Sequence, residues 1–322
     1  MSRTAIPSLL HPVPLPPSSI PAHPSIPFPF PSSTNADSRP TLTQFLHSAL
    51  TEANTFITGT VTKKPFSKDS KPHPSPPSLA QVELSTGSLK ATPIHSASAA
   101  ANNKEDKWFV RRTVHENRAV KGTAEFSEFV RGLKEDHSVN EMAYTPSISD
   151  VKRIAEWDCK EVKLEGGWGE VEASVNLITH TFHPTPLIAP RAFLVLLITA
   201  FLPSPSRSTK LTGFLTVQLP LHSSALQNPS LPKNTILANY VSVEHVRLLP
   251  ESGTSESSAS EPGQIEWTMA TSSDAGGWIP EAVQQSWVLG GVPKAVVKDV
   301  GLFLGWVDER RREKGNKTDT GQ

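Results

Sequence analysis

The sequence predicts an α+β fold in which a curved antiparallel β-sheet wraps around one long C-terminal helix, while an N-terminal helix covers the sheet. Three observations lead to this prediction. Strand-like segments follow one another from residue 108 onward, joined by short loops without intervening helices, which is typical of an antiparallel sheet. The last segment carries apolar residues at helical spacing from Val296 to Val307. A second amphipathic stretch, residues 42–57, precedes the strands.

The composition excludes several classes of protein. Lys and Arg number 31 and Asp and Glu number 31, so no overall charge favours nucleic acid or an anionic membrane. The lone cysteine, Cys159, excludes an internal disulfide and a cysteine zinc cluster, and favours a reducing compartment. The longest apolar run, Ala192 to Leu202, is too short to span a membrane. We therefore expect a soluble, cytoplasmic protein.

The organisation of the chain follows from its proline and low-complexity tracts. Residues 1–40 are rich in Pro and Ser, and we expect a disordered tail there. The alternative is a docking site for a partner domain that recognises proline motifs. One folded domain is expected over residues 41–312, with a low-complexity insertion at about 60–107. A second disordered tail is expected at 313–322.

The helix at 42–57 has a threonine to cap its start, Thr41 or Thr43, and Gly59 at its end. Its polar face lacks the Lys and Arg of membrane-surface helices, so we expect it to dock on the sheet.

The strands are predicted from alternation of apolar and polar residues. A first strand at 108–116 and a helix opened by Gly122 come before six further candidates. These span about 151–164, 170–182, 191–202, 211–219, 236–249 and 264–273. Alternation is clear in 171–177 and 211–219. The run 193–202 is apolar on both faces, which indicates either a covering helix behind it or a cavity in front.

The closing segment is predicted to form a turn and a lid. Pro293 suits the first turn of the final helix, which we expect to end near Arg312. The residues assigned to the turn and lid are Gly276, Gly277, Trp278, Pro280 and Trp287. Since one helix cannot fill the inner face of a bent sheet, a cavity is expected between the two.

Two passages resemble a known family. Residues 276–280 and 291–306 resemble the last strand, turn and lid helix of START domains of the phosphatidylcholine-transfer type. Residues 108–115 and 144–146 resemble a fungal START-like family of uncharacterised function. The resemblance covers about residues 40–60 and 108–312. It implies the helix-grip fold, also called Bet v 1-type, and the binding of a lipid.

The sequence contains no recognisable catalytic motif. It lacks a Gly-x-Ser-x-Gly elbow, a phosphate-binding glycine loop and a His-Glu-x-x-His pair. His180 and His183 are three residues apart in a strand region, so they point to opposite faces and cannot hold one metal ion. We expect a protein without enzymatic activity, cofactor or metal.

The candidate cavity residues are aromatic, or are charged groups that can meet a polar headgroup. They are Arg111, Arg112, Tyr144, Trp157, Phe193, Phe214, Tyr240, His245, Arg247 and Trp267. Of the adjacent pair Arg111 and Arg112, one must face inward, where a guanidinium offers a two-pronged donor to phosphate or carboxylate. His245 and Arg247 share one strand face, with Glu244 on the other. The alternative is a structural ion pair for each charged residue and core packing for each tryptophan.

The function predicted from these observations is the binding, with or without transfer, of a lipid or other hydrophobic small molecule. Transient membrane contact is expected, and nucleic acid is not. Two alternatives stay open. One is an adaptor whose cavity is filled by its own side chains and whose Pro-rich tail recruits partners. The other is a cyclase- or hydratase-like enzyme that draws acid–base groups from His115, Glu141, Tyr144 or His245.

Overall fold

The computed structural model describes residues 8–27, 39–90, 105–181, 189–203, 211–226, 231, 233–249, 263–274 and 291–319. Residues 317–319 are described by their backbone alone. The predicted turn and lid residues, Gly276, Gly277, Trp278, Pro280 and Trp287, lie outside these ranges. Within the described part of the chain, no helix combines the length and the apolarity that a membrane crossing requires.

One sheet organises the fold. Its strands are β1 (Ser67–Lys68), β2 (Glu83–Lys90), β3 (Glu105–Glu116), β4 (Ile148–Trp157), β5 (Gly169–His180), β6 (Arg191–Phe201), β7 (Gly213–Pro220), β8 (Ile236–Leu248) and β9 (Gln264–Asp274). Their order across the sheet is β1-β2-β3-β9-β8-β7-β6-β5-β4. Neighbouring strands are antiparallel, and a short parallel contact also joins 191–193 to 236–238. The predicted antiparallel sheet is thereby confirmed.

Four α-helices accompany the sheet in the described residues: α1 (Leu42–Thr55), α2 (Phe126–Phe129), α3 (His137–Tyr144) and α4 (Val292–Asp319). A π-helical turn extends α1 over Phe56–Thr60, and another extends α2 over Val130–Lys134. The start of α1 is fixed by a capping box in which Thr41 and Gln44 bond each other's backbone N–H groups.

The two faces of the sheet are covered by different parts of the chain. The outer face of the sheet packs against α1 and the N-terminal segment 8–27. The hydrophobic core between them, the outer core, includes Val175, Val217 and Val243. The inner face packs against α4. The α4 stripe in this second core is Val296, Val297, Val300, Phe303, Leu304 and Val307. A nine-stranded sheet that holds the C-terminal helix on one face and α1 on the other is the predicted helix-grip fold.

Three stretches expected to be irregular contain ordered structure. The segment 8–27 buries Leu9, Leu15 and Ile20 in the outer core, and its regular structure is a short 3-10 helix at Pro17–Ser19. Residues 60–90 contain β1 and β2, and β2 pairs with β3 along its whole length. Helix α4 continues to Asp319 rather than ending near Arg312. Apolar residues spaced among prolines give no periodic signal, which explains the difference for the N-terminal segment.

Helix α4 is held at Gly301 by the segment that precedes β2. The Ser75 hydroxyl donates to the Val297 carbonyl at 2.7 Å and accepts from the Gly301 N–H at 2.8 Å. The hydroxyl therefore bonds both the carbonyl and the N–H that would pair with each other in a regular turn of the α-helix. A Cβ at position 301 would lie 2.3 Å from the Pro76 carbonyl oxygen. Only glycine lets the backbone approach this closely.

We predict that Gly301→Ala destabilises the protein by on the order of 1–3 kcal/mol, because the added methyl collides with backbone rather than with a flexible side chain. Gly305→Ala is the matched control on the same helix. Its Cβ would meet the Pro77 ring at 3.6 Å, an ordinary contact, so alanine should be neutral or stabilise by up to about 1 kcal/mol. Urea denaturation followed by circular dichroism measures both. Equal effects of the two substitutions would contradict the close contact.

Candidate functional site

Arg111 lies at the centre of the inner face. It is on β3, in register with Met269 of β9, and its side chain is about 1% exposed. The guanidinium carbon is 3.8 Å from the centre of a Trp267 ring, as in a cation–π contact. Its Nη2 atom is 3.9 Å from a carboxylate oxygen of Glu244. The same oxygen accepts from the Trp267 indole N–H at 2.9 Å.

The guanidinium of Arg111 is only partly satisfied. Among the described residues, its buried Nε and Nη1 atoms have no hydrogen-bond partner. A buried charge is costly unless it is paired and bonded, and each buried donor normally finds an acceptor. The arginine therefore presents two unpaired donor nitrogens inside the protein.

Acidic and phenolic groups surround this arginine. Five residues form this group, which we call the inner polar cluster: Arg111, Glu141, Tyr144, Glu244 and Asp299. Burial raises the pKa of Asp299 to about 7 from its usual 3.8, with Arg111 opposing the rise and the two glutamates adding to it. Burial also raises the pKa of Glu141. The cluster thus holds three carboxyl groups and one guanidinium, and burial raises the pKa of two of the carboxyls, Glu141 and Asp299.

A series of hydrogen bonds links further polar side chains on the inner face of the sheet. His137 Nδ1 donates to the Leu133 carbonyl at 2.8 Å, which leaves its Nε2 to accept from the Gln218 amide at 3.2 Å. The Gln218 oxygen accepts from the Tyr240 hydroxyl. Burial raises the pKa of Tyr240 well above its usual 10, so the phenol stays protonated. This series fixes the direction of each polar group.

His115 adds a neutral imidazole beside Arg111. Its Nε2 lies 2.8 Å from the Thr113 hydroxyl, and its ring packs against Phe129 and Trp267. Burial, helped by the charge of Arg111, lowers the pKa of His115 to about 4. The ring is therefore uncharged at neutral pH and belongs to the aromatic core under α4.

Five of the predicted cavity residues lie on the inner side of the sheet besides Arg111. Tyr144 contacts the rings of Phe303 and Trp306, and Phe193 contacts that of Tyr240. Trp267 stacks on Arg111, and Phe214 is fully buried among the α4 contacts. Of this group, Tyr144, Phe193 and Tyr240 are half-buried.

The other four predicted cavity residues do not face the inner side. Arg112 and Arg247 both bond the Glu266 carboxylate on the outer side, which is the structural ion pair weighed as the alternative. His245 shares this outer side. Trp157 belongs to the outer core, and its indole N–H donates to the Ala22 carbonyl at 3.1 Å. Strand alternation grouped His245 with Arg247 correctly, but could not tell which face is inside.

Residue patterns did not identify Asp299, Glu244, His137 and Gln218 as site residues. Asp299 interrupts the apolar stripe of α4, and Glu244 faces inward from a strand with apolar neighbours. A single acidic residue within an apolar face is the signal that could have found both. Among the described residues, no three His, Cys, Asp or Glu side chains are placed to hold a metal ion.

Residues 108–307 match the family model described as "Protein of unknown function (DUF3074)". The chain belongs to the DUF3074 family. The span matched by the DUF3074 model starts in β3 and ends in α4, so it contains the whole inner polar cluster. No curated protein matches the sequence.

Solved structures with a similar overall arrangement include two human START proteins. Human STARD10 is 12% identical, with a TM-score of 0.46, over 83% of this chain and 84% of that one. Human StAR-related lipid transfer protein 5 is 11% identical, with a TM-score of 0.44, over 82% and 98%. Ara h 8.0201 is 10% identical, with a TM-score of 0.27, over 63% and 97%.

We predict that the stability of this DUF3074 protein depends on pH through Asp299. A raised pKa means that the folded state holds the proton more tightly than the unfolded state. The contribution of the protonated Asp299 to the free energy of unfolding is complete below the pKa that this carboxyl has in the unfolded state. It is lost as pH rises through about 7, the pKa in the folded state. Asp299→Asn imitates the protonated carboxyl, so its advantage over the wild type should grow between about pH 5 and about pH 8.

The free energy of unfolding, measured in urea at several pH values, tests this expectation. Glu309→Gln is the control, because Glu309 is on the same helix but exposed, and its profile should follow that of the wild type. Parallel profiles for Asp299→Asn and the wild type would show that the Asp299 carboxyl does not carry the dependence.

Proposed function

We propose that the protein binds a lipid or other hydrophobic small molecule between the inner face of the sheet and α4, with an oxygen of the ligand on Arg111. The observation that carries the proposal is the buried guanidinium whose Nε and Nη1 atoms have no partner among the described residues. A phosphate, carboxylate, carbonyl or hydroxyl oxygen of the ligand would accept a hydrogen bond from one of these nitrogens. Such a group belongs to the polar end of an amphipathic molecule.

The exposure of neighbouring side chains supports a space for this ligand. Tyr144, Tyr240 and Asp299 are each only half-buried, although they stand between the sheet and the helix that grips it. A fully packed interior would cover them. Two inner hydroxyls, Thr199 Oγ1 and Ser242 Oγ, are also buried without a hydrogen-bond partner in the part of the chain that the structure describes. Unmet polar atoms at several points are the pattern expected of a site whose ligand supplies the missing bonds.

Apolar side chains stand next to the polar ones and suit the rest of the ligand. Ile178, Val195 and Phe193 form a small cluster of their own on β5 and β6, with Tyr240 at its edge. Acyl or other apolar groups would lie against such a wall. The combination of this wall with Arg111 favours a molecule with one apolar and one oxygen-bearing end.

Binding is favoured over catalysis by the position of the acid–base candidates. Glu141 and Tyr144 belong to the inner polar cluster, but His245 lies across the sheet from them. His115 is held in the aromatic core and has a pKa of about 4. The proposed role is therefore to hold the ligand, and transfer between membranes would follow from release at a membrane surface.

We predict that the purified full-length protein carries or takes up an amphipathic lipid, and that Arg111→Gln lowers this affinity at least roughly tenfold, because it removes a charged hydrogen bond. Native mass spectrometry with lipid extraction identifies the ligand. Thermal shift with a lipid panel measures uptake. Arg111→Lys keeps the charge without the planar fork and should bind at an intermediate level.

Arg112→Gln is the matched control, since the neighbouring arginine is on the outer face and pairs with Glu266. It should leave lipid binding unchanged. Near-ultraviolet circular dichroism of each variant checks that the fold is intact. A protein that is consistently empty and unresponsive to the panel would overturn the proposal and favour the adaptor alternative with a filled interior.

A further inference from the structure

A pocket lies on the outer side of the sheet, away from α4. Its volume is about 710 Å³, within the range of small-molecule sites. The N-terminal segment forms one wall, α1 a second wall, and the adjoining ends of β2 and β3 the third. Nothing in the proposed inner site involves these residues, so the pocket requires its own explanation.

The walls of this outer pocket differ in polarity. Apolar side chains from all three parts of the chain line it: Leu10, Phe56, Leu89 and Trp108. Helix α1 contributes His47, Ser48 and Thr51, which are polar but carry no fixed charge. A ligand here would meet apolar surface on one side and neutral hydrogen-bonding groups on the other.

Both carboxylates in the lining are already engaged. Glu52 accepts from the backbone N–H groups of Leu9 and Leu10 and from the Ser8 hydroxyl, which fastens the N-terminal segment to α1. Asp106 is about 5% exposed and lies 3.2 Å from the His11 ring. The remaining charged residue of the lining, Lys90, is exposed. The pocket thus offers little to an ionic ligand and suits a neutral one.

His11 indicates the polar group that the ligand should carry. With Nδ1 donating to Asp106, a neutral imidazole keeps a lone pair on Nε2. Within the described ranges, this Nε2 atom is buried without a hydrogen-bond partner, as is Nδ1 of His47 in the α1 wall. A hydroxyl group on the ligand would donate to such an acceptor and remove the cost of leaving it unpaired.

We propose that the outer pocket is a second binding site, for a neutral, largely apolar molecule that carries a hydroxyl group. The site consists of the apolar lining, the α1 wall and the His11 ring. It is independent of the proposed inner site, because the two lie on opposite faces of the sheet and share no residue.

The test uses the full-length protein and the neutral dye Nile red, whose fluorescence rises in apolar surroundings. Thr51→Trp fills the pocket from the α1 wall and should remove a saturable component of dye binding. Thr43→Trp is the matched control, because Thr43 is exposed on the same helix and does not line the pocket. It should retain that component. Equal binding by the two variants, or no saturable component in the wild type, would overturn the proposal.

The hydroxyl preference is tested by displacement of the dye. At equal concentration, 2-naphthol should displace the Thr51-dependent component at least roughly fivefold more effectively than naphthalene, since it adds one hydrogen bond. His11→Asn keeps a donor for Asp106 and removes Nε2, so dye binding should persist and this preference should disappear. A preference unchanged in His11→Asn would refute the role of His11.

The same measurements separate this site from the inner one. Arg111→Gln should leave the Thr51-dependent component of dye binding in place while lowering lipid uptake. Loss of that component in Arg111→Gln, with the fold intact, would place the dye in the inner site and overturn a second, outer site.

Discussion

The pairing of β3 with β9 is the constraint on which the rest of the structure depends. It joins the first long strand to the last one over eight consecutive residue pairs, from Phe109–Thr271 to Glu116–Gln264. This register turns Arg111 toward α4 and Arg112 toward the outer side. A shift of one residue would exchange them and place every inner side chain of β3 on the wrong face. The pairing also brings Trp267 under the Arg111 guanidinium, so the arginine is held by the same contact that closes the sheet.

The two faces of the sheet have different compositions. The outer side of the central strands is occupied by residues such as Leu196, Val217 and Val241, which pack under α1 as an ordinary core. The inner side of the same strands carries Asn176, Thr216, Gln218, Ser242 and Glu244 among its apolar residues. Most buried polar groups need partners fixed in space. The inner face therefore has less apolar packing and more directed hydrogen bonds than the outer face, which suits the proposed binding of a ligand with a polar end.

Residue patterns predicted the regular parts of this fold and missed the parts that depend on distant contacts. Alternation found the central strands, and helical spacing found α1 and α4, because each signal is local. The ordered segment at residues 8–27 has no periodicity, and β2 is stabilised by its pairing with β3 rather than by its own pattern. The prediction that His245 faces inward was wrong for a related reason. Both faces of the sheet are covered, so apolar neighbours do not tell which cover is α4.

The Ser75 hydroxyl within the hydrogen bonds of α4 has a consequence for how the chain folds. It joins two residues that are 222 positions apart, so the contact cannot form before the chain has been synthesised as far as Val297. Sheet pairings across long stretches of sequence already slow folding, because loop closure precedes the energy gained. We expect α4 to dock late, so that a chain emerging from the ribosome exposes its inner face until α4 has been synthesised. A helix made after all nine described strands is thus the one that shields the polar interior.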